Sequence, residues 1–156
     1  TPSNACLIQK ALDLNEQAMI CFDINAACSG YVYALKVAQS LLQEGQYGLI
    51  IGSEQLSSII DYQDRNTCIL FGDGAAATLI QKNNNIFYSY LDSAGNREVL
   101  YANDYLKMKG QEVFKFAIQT IPQSNRSCFK SSKDDIRGDW LCGLSSSQWK
   151  NYQTCL

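Results

Sequence analysis

The sequence predicts an α/β fold, and three neighbouring segments carry that prediction. Two short apolar runs, Ala18–Ile24 and Tyr47–Glu54, have the length and composition of buried strands. Between them, from Cys28 to Gly45, apolar residues recur at the spacing of one helix face, and Gly45 is suited to end the helix. A strand, a helix and a strand in this order indicate a right-handed crossover between parallel strands. With 156 residues, the chain is long enough for one domain with a substantial core.

Further elements are predicted on both sides of this crossover. Asn4 is suited to cap a first helix over "ACLIQKALDL", whose apolar side chains fall on one face. After the crossover, "DYQDRNT" predicts a polar loop, "CILFGDGAAATLIQK" two β-like runs joined by glycines, and "NIFYSYLD" another strand. A last helix is predicted over Glu112–Ile121. Its apolar face consists of Val113, Phe114, Ala117 and Ile121.

The chain after Gln123 differs in composition from the part before it. It is Ser-rich and polar, and its apolar residues show only weak periodicity. Such a segment buries too little apolar surface to offset the entropy of ordering. We therefore divide the chain into a globular segment, residues 1–123, and a tail, residues 124–156, that is expected to be poorly ordered.

The composition excludes several classes of protein. Hydrophobic residues make up 46% and charged residues 18% of the chain, as in a soluble globular protein. No apolar run approaches the roughly 18 residues of a membrane span, and no signal peptide is visible. Histidine is absent, and the 7 cysteines form no C-x-x-C pair, so neither a zinc site nor a disulfide framework is expected. Most cysteines are expected to be small buried residues in a reducing compartment.

Cys28 is the candidate for chemistry because it stands where the central helix begins. The free N–H groups and partial positive charge of a helix N-terminus favour the thiolate, which is the nucleophilic form. Ala26, Ala27, Ser29 and Gly30 are small and leave space for a substrate at the sulfur. On position alone, a buried structural cysteine is the better explanation.

The motifs around Cys28 resemble a known family. "FDINAACSGYVYALKVA", "LIIGSE", "DYQDRNTCILFGDGAAATLIQ" and "MKGQEVFKFAIQTIPQ" are similar to β-ketoacyl-acyl carrier protein synthase III, from about Pro2 to Gln123. The resemblance implies a thiolase-like layered αβαβα fold, incomplete here, with the later part of the first repeat and the start of the second. It also implies a cytoplasmic acyltransferase that begins fatty acid biosynthesis by condensing acetyl-CoA, or another acyl-CoA, with malonyl-acyl carrier protein.

The resemblance also assigns roles to residues. It implies that Cys28 becomes acylated and that its amide helps to bind the oxyanion, that Arg65 contacts the nucleotide end of CoA, and that Gly110 and Phe114 line the CoA channel. From the residues alone, Arg65 could equally be a surface arginine, and Phe114 is better explained as helix core. The basic residues after Tyr105 could meet an acidic partner, with Lys115 beside the channel docking the carrier protein, but a solvated surface is the better explanation of both. The resemblance makes the CoA thioester a substrate, so no cofactor or metal is expected. It also implies a homodimer, with neither nucleic acid nor a membrane as a partner.

The chain departs from the family pattern after Gln123. Family members carry a histidine shortly after an Asp-Trp pair and an asparagine further on; here Leu144 stands at the histidine position, and the chain has no histidine. "FGDGAAA" lacks the spacing of a phosphate loop and is better explained as a tight turn between strands. Three hypotheses result: a synthase of the implied type, a truncated and catalytically incompetent remnant, and a polyketide-type synthase with another acyl substrate.

Overall fold

The computed structural model describes residues 2–85, 87–131, 142–145 and 152–155 of the chain. It contains helices and strands in mixed order, with short 3-10 turns at Ala27–Ser29 and Leu56–Ser58. No helix among these residues combines the length and the apolar character needed to cross a membrane. The helices are α1 (Asn4–Ala11), α2 (Gly30–Leu41) and α3 (Gly110–Ser131), and the strands are β1 (Tyr47–Glu54), β2 (Gly74–Gln81), β3 (Tyr88–Tyr90), β4 (Leu100–Ala102), β5 (Leu106–Met108), β6 (Cys142–Ser145) and β7 (Tyr152–Cys155).

The predicted parallel crossover is wrong. Residues 18–24 form no strand, and β1 pairs in antiparallel register with β2, so that Leu49 lies opposite Leu79 and Ile51 opposite Ala77. A strand needs a neighbour for its backbone groups, and among the described residues no strand is paired with this segment. Its apolar side chains are exposed instead: Met19, Ile20, Phe22 and Ile24.

Residues 18–24 are held by α1 rather than by a sheet. The side chain of Asp23 accepts hydrogen bonds from the amides of Asn4 and Ala5, at 2.8 and 2.9 Å, and from the Ser3 hydroxyl at 2.7 Å. These bonds satisfy free N–H groups at the start of α1. The expected cap from the Asn4 side chain is therefore wrong, because a carboxylate 19 residues further along the chain caps the helix.

The two faces of the β1–β2 sheet differ in burial. One face packs on α2, where Val32 and Ile50 are buried and the Tyr31 hydroxyl lies 3.1 Å from that of Thr78. Gly48 allows this close approach, because a Cβ there would lie 3.1 Å from Cδ1 of Leu42. The opposite face is apolar but exposed, with Leu49, Ile51 and Leu79.

A second packed region surrounds the β4–β5 hairpin. Ile60, Leu100 and Leu106 are its buried residues. The Leu106 amide donates to the Ile59 carbonyl at 2.8 Å, which joins the hairpin to the segment after β1. Partly buried neighbours complete the cluster: Leu56, Ile59, Cys68, Phe71 and Met108.

Several element boundaries differ from the prediction. Helix α2 begins at Gly30 and ends at Leu41. Gly45, whose φ is +81°, lies in the turn before β1, and its amide donates to the carbonyl of Lys82. Of the two β-like runs predicted after the polar loop, only Gly74–Gln81 is a strand, because residues 65–70 form turns.

The predicted tail overlaps with regular structure. Helix α3 continues through Pro122 to Ser131, and β3, β7 and β6 form an antiparallel sheet in that order. The division at residue 123 stays a prediction, and the segments 132–141 and 146–151 lie outside the described residues.

Candidate active site

Cys28 lies in a sharp turn that opens directly into α2. It is the middle residue of the 3-10 turn Ala27–Ser29, which Gly30 continues as an α-helix. The Ser29 amide donates to the Ala26 carbonyl at 3.1 Å, and the Ala27 amide donates to the Asn25 side chain at 3.3 Å. The predicted position of Cys28 at the start of a helix is therefore confirmed.

Ala27 holds a strained conformation immediately before Cys28. Its φ of +46° lies in the left-handed region, which an L-residue with a Cβ adopts at a cost. Ser29, the residue after Cys28, is fully buried. Strained residues of this kind often cluster at functional sites, where the surrounding structure maintains them. Here the strain reverses the chain so that the Cys28 residue is exposed while its neighbour Ser29 points inward.

The electrostatic surroundings of Cys28 differ from the expectation. Desolvation by the surrounding protein raises the pKa of the Cys28 thiol, although the residue as a whole is exposed. The Cys28 amide, which donates to its own sulfur, lowers the pKa, and the negative charge of Glu54 raises it further. The expected lowering of this pKa by the helix N-terminus is therefore wrong for the chain in this structure.

Glu54 was not predicted from the sequence. It is the last residue of β1, opposite Gly74 of β2, and its charge acts on Cys28 because the end of β1 and the start of α2 are neighbours. The only sequence signal is an acidic residue at the end of an apolar strand.

The motif "FGDG" serves as a structural clamp in this region. Asp73 accepts hydrogen bonds from the amide and the hydroxyl of Ser57, at 2.8 and 2.6 Å. The Ser57 hydroxyl is the main cause of the lowered pKa of Asp73, and the Ser57 amide adds to it. These two bonds join the 3-10 turn after β1 to the residue that precedes β2.

Arg65 is exposed on a turn that Asp64 organises. The Asp64 side chain accepts from the Asn66 amide at 3.1 Å, and its carbonyl accepts from the amide of Thr67, which is fully buried. Lys107 of β5 lies 3.4 Å from Asp61 and 3.5 Å from Asp64. These contacts fix the backbone on both sides of Arg65 and leave its guanidinium on the surface.

Gly110 and Phe114 lie at the start of α3. Gly110 is the first residue of the helix, and the Phe114 side chain is 66% exposed. The residues alone favoured a buried position for Phe114 in the helix core, and this prediction is therefore wrong. The protected side of α3 runs instead through Val113, Phe116, Ala117, Thr120, Ile121 and Ser124.

The four predicted site residues fall into two groups. Arg65 and Gly110 flank the β4–β5 region, through the Lys107 ion pairs and the end of β5, and Phe114 follows Gly110 on α3. Cys28 belongs to the unit of α2, β1 and β2. Among the described residues, no hydrogen bond or ion pair joins Cys28 to Arg65, Gly110 or Phe114 directly.

Two further features complete the description of this region. A cavity of about 260 Å³ lies beside the second half of α2, between Leu35, Leu42, Ile80 and Phe87. Since it is at the far end of α2 from Cys28, it does not serve the thiol. Within the described ranges, no cluster of three His, Cys, Asp or Glu residues is placed to hold a metal ion.

Comparisons with known proteins agree with the motifs around Cys28. A model of the family 3-oxoacyl-[acyl-carrier-protein (ACP)] synthase III matches residues 22–95. The chain is 46% identical over 130 residues to the β-ketoacyl-[acyl-carrier-protein] synthase III of Acholeplasma laidlawii, covering 80% of the chain and 42% of the relative. It is 40% identical over 152 residues to that of Fusobacterium nucleatum, covering 83% and 46%.

Solved structures show the same likeness. Synthase III from Thermus thermophilus matches with a TM-score of 0.67 and 34% identity, over 76% of the chain and 42% of that structure. The priming β-ketosynthase of the R1128 polyketide pathway matches with a TM-score of 0.70 and 24% identity, over 81% and 43%, which shows the fold alone. The expected thiolase-like α/β fold class is confirmed, and the chain spans less than half the length of the relatives described here.

Proposed function

The chain belongs to the β-ketoacyl-[acyl-carrier-protein] synthase III family, and on this premise we propose that Cys28 accepts an acyl group from acetyl-CoA. In the proposed reaction this acyl group is condensed with malonyl-acyl carrier protein, in the cytoplasm, to begin fatty acid biosynthesis. The observation that supports the proposal most strongly is the strained turn that exposes Cys28 at the start of α2.

The first step is a thioester exchange at Cys28. The thiolate forms a bond to the carbonyl carbon of acetyl-CoA, the carbonyl electrons move to oxygen, and the oxyanion collapses as the CoA thiolate leaves and is protonated. The Cys28 amide lies at the start of a helix, where N–H groups stabilise a negative oxygen. Because its pKa is raised, Cys28 is mainly a thiol at neutral pH, so acylation is expected to accelerate as the pH rises.

CoA and the carrier protein have candidate contacts on the surface. Arg65 presents a positive charge on an ordered turn, which suits the phosphates of CoA. Phe114 is exposed beside Lys115, so an apolar and a cationic group are together available to the CoA channel and to an acidic carrier protein. The exposed apolar face of the β1–β2 sheet supports the association of two chains, as the resemblance implies.

A second candidate is a family member that does not complete the condensation. It is favoured by the absence of histidine, since the resemblance assigns to a histidine and an asparagine the hydrogen bonds that stabilise the condensation step. Loss of one such donor typically costs on the order of a hundredfold to a thousandfold in rate. Leu144, at the expected histidine position, lies in β6.

One experiment tests both candidates. The chain is incubated with acetyl-CoA and malonyl-acyl carrier protein, and free CoA and 3-oxoacyl product are measured by chromatography. We expect CoA release that Cys28→Ala abolishes and that Cys68→Ala, the matched control, leaves intact; 3-oxoacyl product supports the condensation, and CoA release without this product favours the second candidate. Equal CoA release from the parent chain and Cys28→Ala contradicts the proposal, and turnover to product that depends on Cys28 excludes the second candidate.

A further inference from the structure

Two free cysteines far apart in the sequence are neighbours in the fold. Cys6 of α1 and Cys21 of the following segment are 15 positions apart, and the Cys6 thiol donates to the Cys21 carbonyl with Sγ and oxygen 3.8 Å apart. Cys6 is exposed and Cys21 is half-buried, so the expectation of buried cysteines is wrong for both.

Hydrogen bonds of a neighbouring residue, and not the thiols themselves, maintain the contact between these cysteines. Asp23, two residues after Cys21, is bound to Ser3, Asn4 and Ala5 by three hydrogen bonds of 2.7 to 2.9 Å. This cap holds residues 21–23 alongside the first turn of α1. The Cys6 thiol and the backbone of Cys21 are therefore kept close together in the folded chain.

The contact brings the Cys6 sulfur close to the backbone of Cys21. Two bonds, of about 1.2 and 1.5 Å, separate the Cys21 oxygen from its Cα, so Cys6 Sγ lies within about 6.6 Å of that Cα. In a disulfide the two Cα atoms are usually about 4.4 to 6.8 Å apart, so the two sulfurs must come closer together than this contact alone brings them.

We propose that Cys6 and Cys21 form a reversible disulfide by exchange with a small disulfide such as oxidised glutathione. The thiolate of Cys6, the more exposed of the two, attacks one glutathione sulfur and releases one reduced glutathione. The thiolate of Cys21 then attacks the Cys6 sulfur of the mixed disulfide and releases the second. The two protein thiols lose two protons and two electrons, and the glutathione disulfide is reduced to two thiols.

The bond links α1 to the segment that leads into the turn of Cys28. It closes a loop of about 15 residues, for which chain entropy predicts an unfolding equilibrium constant more than a hundredfold lower. This proposal concerns a modification site and does not depend on the condensing activity. We therefore expect the disulfide to stabilise the segment 21–23, which carries the exposed residue Phe22.

The test is a disulfide map of the chain after treatment with oxidised glutathione and alkylation of the remaining thiols. Trypsin, followed by a protease that cleaves after Asp and Glu, separates Cys6, Cys21 and Cys28 into different peptides, because Lys10 and Asp23 lie between them. We expect a peptide pair linked through Cys6 and Cys21. Formation should be at least tenfold faster in the folded chain than in urea, because the fold brings the thiols together.

Single cysteine substitutions test whether this disulfide causes the change in stability. Oxidation should raise the urea midpoint of the parent and of Cys68→Ser, the control for a half-buried cysteine, but not that of Cys21→Ser. Separate glutathione adducts on Cys6 and Cys21 without a linked peptide overturn the proposal. So does a link that forms equally fast in urea, or a link from Cys6 to Cys28 in place of Cys21.

Discussion

Replacing Ala27 by glycine should stabilise the chain, although glycine substitutions usually destabilise. With φ of +46°, Ala27 is in the left-handed region, which costs an L-residue roughly 1 to 2 kcal/mol. Glycine removes that cost but adds about 0.4 to 1 kcal/mol of conformational freedom to the unfolded chain. Because the Ala27 side chain is exposed, its methyl group adds little burial. The balance is a stabilisation of about 0.5 to 1 kcal/mol.

Urea unfolding followed by circular dichroism measures this effect. Ala26→Gly is the matched control, since Ala26 has φ of −142° and carries no left-handed strain. It should lower the free energy of unfolding by about 0.5 to 1 kcal/mol, because only the cost of glycine remains. A loss of stability in Ala27→Gly equal to that in Ala26→Gly would refute the assignment of strain to the residue before Cys28.

Three further substitutions test the surroundings of the site. Glu54→Gln should lower the pKa of Cys28 and speed its alkylation by iodoacetamide at pH 8, because a charge that raises the pKa is removed; an unchanged rate argues against this charge effect. Asp73→Asn should make the free energy of unfolding less sensitive to low pH. The pKa of Asp73 is lowered in the fold, so its contribution is present above its ordinary value of 3.8 and is lost as the pH falls through the folded value; equal acid sensitivity of variant and parent contradicts this. Lys107→Met should speed tryptic cleavage after Arg65, by up to about fivefold, because two ion pairs that hold the turn are lost; cleavage at the parental rate shows that they do not order it.

Local patterns predicted several elements correctly. The apolar periodicity of α2, the apolar run of β1 and the start of α3 are present in the structure, and Cys28 lies where the pattern placed it. The segment 18–24 has the composition of a buried strand, but strand formation also requires a partner, which the residues themselves do not reveal. For the same reason the sequence did not show that Asp23 caps α1 across 19 positions.

The errors at the site also come from distant contacts. A helix N-terminus is a local argument for a low thiol pKa, whereas desolvation and Glu54 act on Cys28 through the tertiary fold. On α3, the apolar pattern did not separate Val113, which is half-buried, from Phe114, which is exposed, because both fit a broad apolar face.

The most direct test is to locate the acyl group after the chain has been incubated with acetyl-CoA. Digestion at Asp23 and Lys36 isolates Cys28 in a peptide without any other cysteine, so mass spectrometry assigns its acetylation without ambiguity. We expect acetyl groups on Cys28 in clear excess over Cys6, Cys21 and Cys68, with an initial rate that increases between pH 7 and pH 9 because the thiol pKa is raised. Acetylation spread evenly over Cys28 and these three cysteines, or absent from Cys28 in the folded chain, would contradict the assignment of Cys28 as the acyl acceptor.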